Sequence, residues 1–201
     1  MTITYEYYDA LYVNLTNRCS NDCAFCVRNK YDNVNGTDDL WLEREPNMEE
    51  IRADFMKRDM SKYSEVVFCG YGEPMMRYDD VLQLARWLKE TYSNIPIRIN
   101  TNGHANLIAG RDITPELKGI VDVISISLNA ENAQKYQKLC RSEFGEAAYD
   151  GLLDFASKAK TYVPNVILSV VDKTMPAEEI EHCREIARDC GVELRVRPYI
   201  A

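Results

Sequence analysis

Short apolar runs alternate with longer helical runs along the whole chain, and that alternation constrains the fold more than any other feature. The short runs are 11–16 (LYVNLT), 65–69 (EVVFC), 95–102 (IPIRINTN), 121–129 (VDVISISLN), 165–171 (NVILSVV) and 192–199 (VELRVRPY). Helical patterns lie between them at 46–59, 78–92, 132–140 with 147–161, and 176–191. Pro46 and Pro176 stand where a first helical turn tolerates proline, and Gly191 stands where a helix stops. Strands alternating with helices predict parallel strands joined by crossovers, hence an α/β fold. The 201 residues are enough for one domain with a substantial core, so residues 1–201 are read as a single domain.

Six such units can form an open doubly wound sheet or a partial (β/α)6 TIM-like barrel. The strand faces bear on the choice. Ser125, Ser127 and Asn129 share one face while Ile124, Ile126 and Leu128 share the other. Arg98, Asn100 and Asn102 oppose Ile95, Ile97 and Ile99, and Tyr12, Asn14 and Thr16 oppose Leu11, Val13 and Leu15. In the last run Arg195 and Arg197 oppose Leu194 and Val196. Parallel strands covered on both faces are apolar throughout. One apolar and one polar face therefore predicts a curved sheet around a wet interior, the alternative being an antiparallel sheet with a solvated face.

Three cysteines, Cys19, Cys23 and Cys26, fall in the turn after the first run with spacing C-x3-C-x2-C. The same spacing describes one helix face, and cysteine packs well as a small hydrophobe. The stripe does not continue, however: Asn29 and Lys30 follow it, and the intervening NRCSND is turn-forming. A structural zinc site needs four ligands, usually in two pairs. Cys69, Cys140, Cys183, Cys190, His104 and His182 supply no second pair at short spacing, and Cys183 and Cys190 read as helix packing. Three thiolates on a [4Fe–4S] cube, ordinarily held by four, leave one iron open to a small molecule. The turn after a first parallel strand lies at the C-terminal sheet edge, where α/β folds gather ligands.

The formal charge of −8 argues against non-specific nucleic-acid binding, and seven cysteines in one chain suit a reducing compartment. No apolar run reaches the roughly 18 to 20 residues a membrane span needs. The N-terminal stretch lacks the basic start and small-residue cleavage site of a secretory signal, so a cytoplasmic location is expected.

Cys19-SND-Cys23-AF-Cys26 resembles the signature of the radical S-adenosylmethionine (SAM) superfamily. The resemblance implies a [4Fe–4S] cluster on these three thiolates, with SAM chelating the open iron. It further implies reductive SAM cleavage to a 5′-deoxyadenosyl radical, hydrogen abstraction from an unknown small-molecule or protein substrate, and a reductase or flavodoxin-type electron donor. The family core is a partial (β/α)6 barrel, and here its final helix is expected to be missing. FCGYGEP (68–74) resembles the Gly-Gly-Glu-Pro motif, implying that Gly70, Gly72 and Glu73 receive the SAM amino group, with Tyr71 in place of the usual first glycine. Asn100 and Thr101 of NTNG, Ser127 and Asn129 of SISLNA, Ser169 in the fifth run and Arg197 in the sixth complete the implied SAM contacts. Phe25 is implied to pack near the adenine. The duller reading of these positions is polar strand ends and core packing. The stretches LTNRCSNDCAFCVRN, VVFCGYGEP, INTNGHANLI, DVISISLNAENA, KLCRSEFGEAAY and LRVRPYI resemble most closely the TatD-associated radical SAM proteins.

The remaining candidates are open. Residues 28–45 form the longest stretch without periodicity, either a lid over substrate or a mobile surface loop. Arg195, Arg197 and Arg141 suit a carboxylate or phosphate, with salt bridges to neighbours such as Glu193 as the alternative. Cys69 and Cys140 are either substrate-side thiols or packing. His104 lies near the expected site with no evident partner, and His182 reads as surface. Within the enzyme class, activation of a partner protein by a glycyl radical is an alternative. A non-catalytic iron–sulfur or zinc protein is the rival from outside it.

Overall fold

In the computed structural model the described residues are 1–29, 33–34, 38–92 and 95–198. The chain runs β1 (Thr4–Tyr7), β2 (Ala10–Val13), β3 (Asn33–Val34), β4 (Asp38–Asp39), α1 (Met48–Phe55), β5 (Val66–Phe68), α2 (Tyr78–Thr91) and β6 (Ile97–Thr101). It continues through α3 (Ala105–Ala109), β7 (Val123–Ser127), α4 (Ala133–Cys140), α5 (Ala147–Ala159), β8 (Asn165–Val171), α6 (Ala177–Asp189) and β9 (Glu193–Arg197). The main sheet has the order β1-β2-β5-β6-β7-β8-β9. Every neighbouring pair from β2 onward is parallel, and only β1 lies antiparallel, against β2.

That order decides between the two architectures. Right-handed crossovers between strands taken strictly in sequence all fall on the same side of the sheet. A doubly wound sheet instead reverses its order at a switch point. No reversal occurs here, so one face carries the helices and the other is left to the interior of a partial TIM-like barrel. Leu11, Val13, Val66, Phe68, Ile97, Ile99, Ile124, Ile126, Leu168 and Val170 form one buried cluster with Ile51, Phe55, Leu84, Leu88, Leu152 and Phe155 of the helices. The register sets Asn100 beside Ser125, and Ser127 beside Ser169, which is beside Arg195. The polar face foreseen from alternation is thus continuous across four strands.

All six expected parallel strands are present; the fifth, β8, spans its run 165–171 in full, and the other five are shorter than theirs. The first ends at Val13, so Asn14 to Thr16 already belong to the turn. Tyr199 of the sixth lies outside the described residues. Helix α1 begins at Met48 rather than Pro46, because Asn47 caps it: its side chain accepts from Glu50 N–H while the Glu50 carboxylate accepts from Asn47 N–H. The far end also stops early, at Phe55, and Asp59 caps a separate short turn. Alternation did not reveal β1, which precedes the first strand–helix unit, nor α3, a single short turn of helix after Gly103.

Of residues 28–45, 30–32 and 35–37 lie outside the described residues. β3 and β4 pair antiparallel, and the stretch after them is strapped down rather than loose. Leu40 and Leu42 are buried. Asn14 Nδ2 donates to Leu40 O at 2.7 Å, and the Asn17 amide exchanges two hydrogen bonds with the Leu42 backbone. The expectation of a mobile surface loop is therefore corrected for 39–45. No helix among the described residues is long and apolar enough to cross a membrane.

Candidate functional site at the sheet's C-terminal edge

Residues 14–29 leave β2 and cross the C-terminal ends of the neighbouring strands, where the rest of the chain grips them. Arg77 donates to Leu15 O at 2.8 Å, Thr16 Oγ1 donates to Glu45 at 2.6 Å, and Glu73 N–H donates to Arg18 O at 2.8 Å. Asp22 N–H reaches Cys140 O at 2.9 Å and Ala24 N–H reaches Leu139 O at 3.0 Å, which fastens the loop to the end of α4. Arg141 also pairs with Asp22 at 3.2 Å. Its guanidinium thus has a carboxylate partner on this loop.

A buried polar relay lies beneath the loop. Asn102 Nδ2 donates to Ser20 Oγ at 2.8 Å, Ser20 Oγ meets His104 Nδ1 at 3.0 Å, and His104 Nε2 meets the Tyr136 hydroxyl at 3.1 Å. That hydroxyl also accepts from Asn21 Nδ2 at 3.0 Å. His104 is completely buried, and burial lowers its pKa to about 4, so the ring is neutral. A neutral imidazole held between two partners suits anchoring better than proton shuttling. Sequence reading missed Ser20, Asn21, Asn102 and Tyr136, and found no partner for His104. Only the position of Asn102 in NTNG hinted at the relay.

The three cysteines are half-buried on this loop. Cys19 Sγ accepts from Asn21 N–H at 3.4 Å and lies 4.0 Å from Asn102 Nδ2. Burial and nearby Glu73 push the Cys19 thiol up to about 12. A hydrogen bond shared with Cys140, then burial, raises Cys23, and burial raises Cys26. Thiols placed like this stay protonated unless a positive centre compensates, which is what bound iron does. Among the described residues no three His, Cys, Asp or Glu side chains converge as a metal ion requires. The donor set nevertheless fits a cluster in kind, with three thiols on one loop beside amide donors suited to sulfur.

GYGEP runs directly against the loop. A methyl group on Gly72 would stand 2.2 Å from Thr16 O and 2.6 Å from Arg18 O, and one on Gly70 would stand 2.1 Å from Asn14 Oδ1. The room these glycines provide is thus filled by the cysteine-bearing segment itself. Glu73 is buried and its carboxylate accepts from Met75 N–H (3.0 Å), Thr101 Oγ1 (2.7 Å) and Asn102 N–H (2.6 Å). Burial raises its pKa against those donors. Glu73 and Thr101 therefore tie the ends of β5 and β6 together. Tyr71 is buried, with Trp41 edge-on at 5.2 Å.

The other expected residues line the same end. Asn100 stands beside Ser125 on the polar face of β6. Asn129, at φ 59°, donates from Nδ2 to Cys140 Sγ at 3.6 Å, and its buried Oδ1 has no partner among the described residues. Ser169 Oγ donates to Ile126 O at 3.3 Å. Arg197 is half-buried with its Nε unpartnered among the described residues, and burial lowers its pKa. Arg195 is exposed, and among the described residues neither arginine forms an ion pair, so the bridge to Glu193 is not seen. Phe25 packs half-buried on the core. Away from the site, Cys183 is buried in the core and the exposed His182 pairs with Glu131.

Comparison with known proteins agrees with this geometry. The family model described as "Radical SAM superfamily" matches residues 13–188. A Methanocaldococcus jannaschii protein, MJ1227, provisionally described as a glycyl-radical enzyme activating enzyme, is 28% identical over 179 residues, covering 87% of this chain and 67% of that protein. A radical SAM methyltransferase from Sphaerobacter thermophilus superposes with a TM-score of 0.65 at 20% identity, covering 97% of this chain and 57% of that one. Streptococcus suis SuiB bound to precursor peptide SuiA gives 0.67 at 15% identity, covering 98% and 40%. At such identities the two structures bear on the fold alone, and this chain spans only about half of their length.

Proposed function

Since the chain belongs to the radical SAM superfamily, we propose that it is an enzyme that cleaves SAM reductively, generating a 5′-deoxyadenosyl radical that abstracts hydrogen from its substrate. The observation that carries this reading is the cysteine loop, gripped from four sides at the C-terminal edge of six parallel strands. An electron carrier has no need of GYGEP, NTNG and SISLNA gathered at one sheet edge, and that argues against a non-catalytic iron–sulfur or zinc protein.

In this reading Cys19, Cys23 and Cys26 hold a [4Fe–4S] cluster. The carbonyls of Gly70 and Gly72 offer acceptors to the SAM ammonium, while Glu73 and Thr101 hold that edge rigid. The free Oδ1 of Asn129 suits a ribose hydroxyl, with Ser127 and Ser169 alongside. Asn100 lines the wall, Phe25 covers the adenine, and the Arg197 guanidinium, whose Nε has no partner among the described residues, suits a carboxylate. The relay through His104 keeps Ser20 and Asn21 fixed beside Cys19. A reductase or flavodoxin-type protein delivers the electron.

The likeness to MJ1227 favours, as a second reading, activation of a partner protein through a glycyl radical. The nearer resemblance to TatD-associated proteins rests on the sequence stretches quoted above. Anaerobic reconstitution tests the main reading: dithionite and SAM should yield 5′-deoxyadenosine, and Cys23→Ala should abolish both cluster and cleavage. A reconstituted cluster with neither SAM binding nor turnover would overturn it.

A further inference from the structure

Cys140 lies outside the three-cysteine motif, yet the motif loop is bonded to its backbone. Helix α4 ends there, and Arg141 adopts a left-handed conformation at φ 47° that turns the chain away. The two backbone hydrogen bonds from Asp22 and Ala24 to the carbonyls of Cys140 and Leu139 bracket Cys23. They draw its backbone alongside that of Cys140. Disulfides need close backbone approach, and this clamp supplies it. Cys140 is fully buried, with Asn129 Nδ2 on its sulfur, whereas Cys23 is only partly covered. A small oxidant therefore reaches Cys23 first, and Cys140 is in place to resolve it. Elsewhere, among the described residues, Cys183 contacts Met175 Sδ at 4.0 Å.

We propose that Cys23 and Cys140 form a reversible disulfide in the cluster-free protein, so that oxidation and cluster loading compete for the sulfur of Cys23. The second half of this statement rests on the reading of Cys23 as a cluster ligand. With hydrogen peroxide as oxidant, the Cys23 thiol gives up its proton. Its thiolate attacks one peroxide oxygen and breaks the O–O bond, and the departing hydroxide takes the proton, giving a sulfenic acid and one water. The Cys140 thiol then displaces hydroxide from that sulfur, forming the S–S bond and releasing a second water. Two thiols lose two electrons in total, which the peroxide oxygens take up. A dithiol such as dithiothreitol reverses the bridge by exchange.

The test uses full-length, cluster-free protein treated with stoichiometric hydrogen peroxide and digested with trypsin without reduction. Cleavage after Arg18, Arg28, Lys138 and Arg141 places the three motif cysteines in peptide 19–28 and Cys140 in peptide 139–141. The expected result is a linked pair of these peptides, two hydrogens lighter than their sum. Fragmentation should locate the bond at Cys23, and dithiothreitol should release it. Oxidised protein should take up less than a tenth of the iron and sulfide bound by reduced protein, and dithiothreitol should restore uptake. Cys140→Ser, with Cys140→Ala as a second variant and circular dichroism to confirm folding, should show no linked pair and should keep most of its iron uptake after the same exposure. A bridge confined within 19–28, or no linkage of 139–141, overturns the proposal. Failure of fully reduced protein to bind iron would instead count against the cluster reading, since the digest alone judges the disulfide.

Discussion

Gly72 shows how a motif residue acts through its neighbours. Its missing side chain makes room for two carbonyls of the cysteine segment, and backbone atoms yield at far greater cost than a side-chain tip. Gly72→Ala should destabilise the fold by about 2 kcal/mol or more, read as a lower urea midpoint with an unchanged slope. His104 is the residue whose charge matters most to the loop. Unfolded, its imidazole protonates near pH 6.5; folded, burial delays protonation to about pH 4. The stability it contributes is complete above pH 6.5 and is lost as pH falls through that interval, by about 3 kcal/mol in all. His104→Asn should be less stable than wild type at pH 7, and the gap should narrow by pH 4.5, as urea titrations at both pH values would show. The motifs NTNG and GYGEP were legible in the sequence because residue type and order carry them. The relay among Ser20, His104, Tyr136 and Asn21 was not, because its members come from three separate stretches that only the fold brings together.

At the scale of elements, the sheet edge and the loop form one rigid piece. Helix α4 contributes a hydroxyl, a thiol and two carbonyls to the loop, although its sequence reads as an ordinary amphipathic helix. Tyr136→Phe should leave Asn21 Nδ2 and His104 Nε2 without their partner in a buried site, at a cost of about 1–3 kcal/mol. Hydrogen exchange should then rise at Ser20 to Ala24 more than in β7 or β8. A uniform change across the molecule would count against the loop being anchored there. The stretch 39–45 belongs to the same piece. Its lack of periodicity suggested looseness, but Leu40 and Leu42 are buried singly and bonded through the amides of Asn14 and Asn17. A pair of isolated apolar residues leaves no period to detect.

For the whole molecule, a ligand that binds only the folded, cluster-loaded state must stabilise it by mass action. SAM at a hundred times its dissociation constant should raise the unfolding free energy of anaerobically reconstituted protein by about 2.7 kcal/mol. The same SAM should leave the Cys23→Ala protein unchanged in thermal melts. A like shift in both would mean that binding does not depend on the cysteine loop. The six parallel units, the polar strand faces and the cysteine turn could be read from the chain alone, because periodicity, turn chemistry and cysteine spacing are local and survive without knowledge of contacts. Tertiary structure alone decided that the glycines yield space to the chain's own loop, that Glu73 and Thr101 bind each other, and that Cys140 lies against Cys23. Each of these depends on which distant segments share a sheet edge, and strand order and register, rather than the spacing within any one stretch, set that proximity.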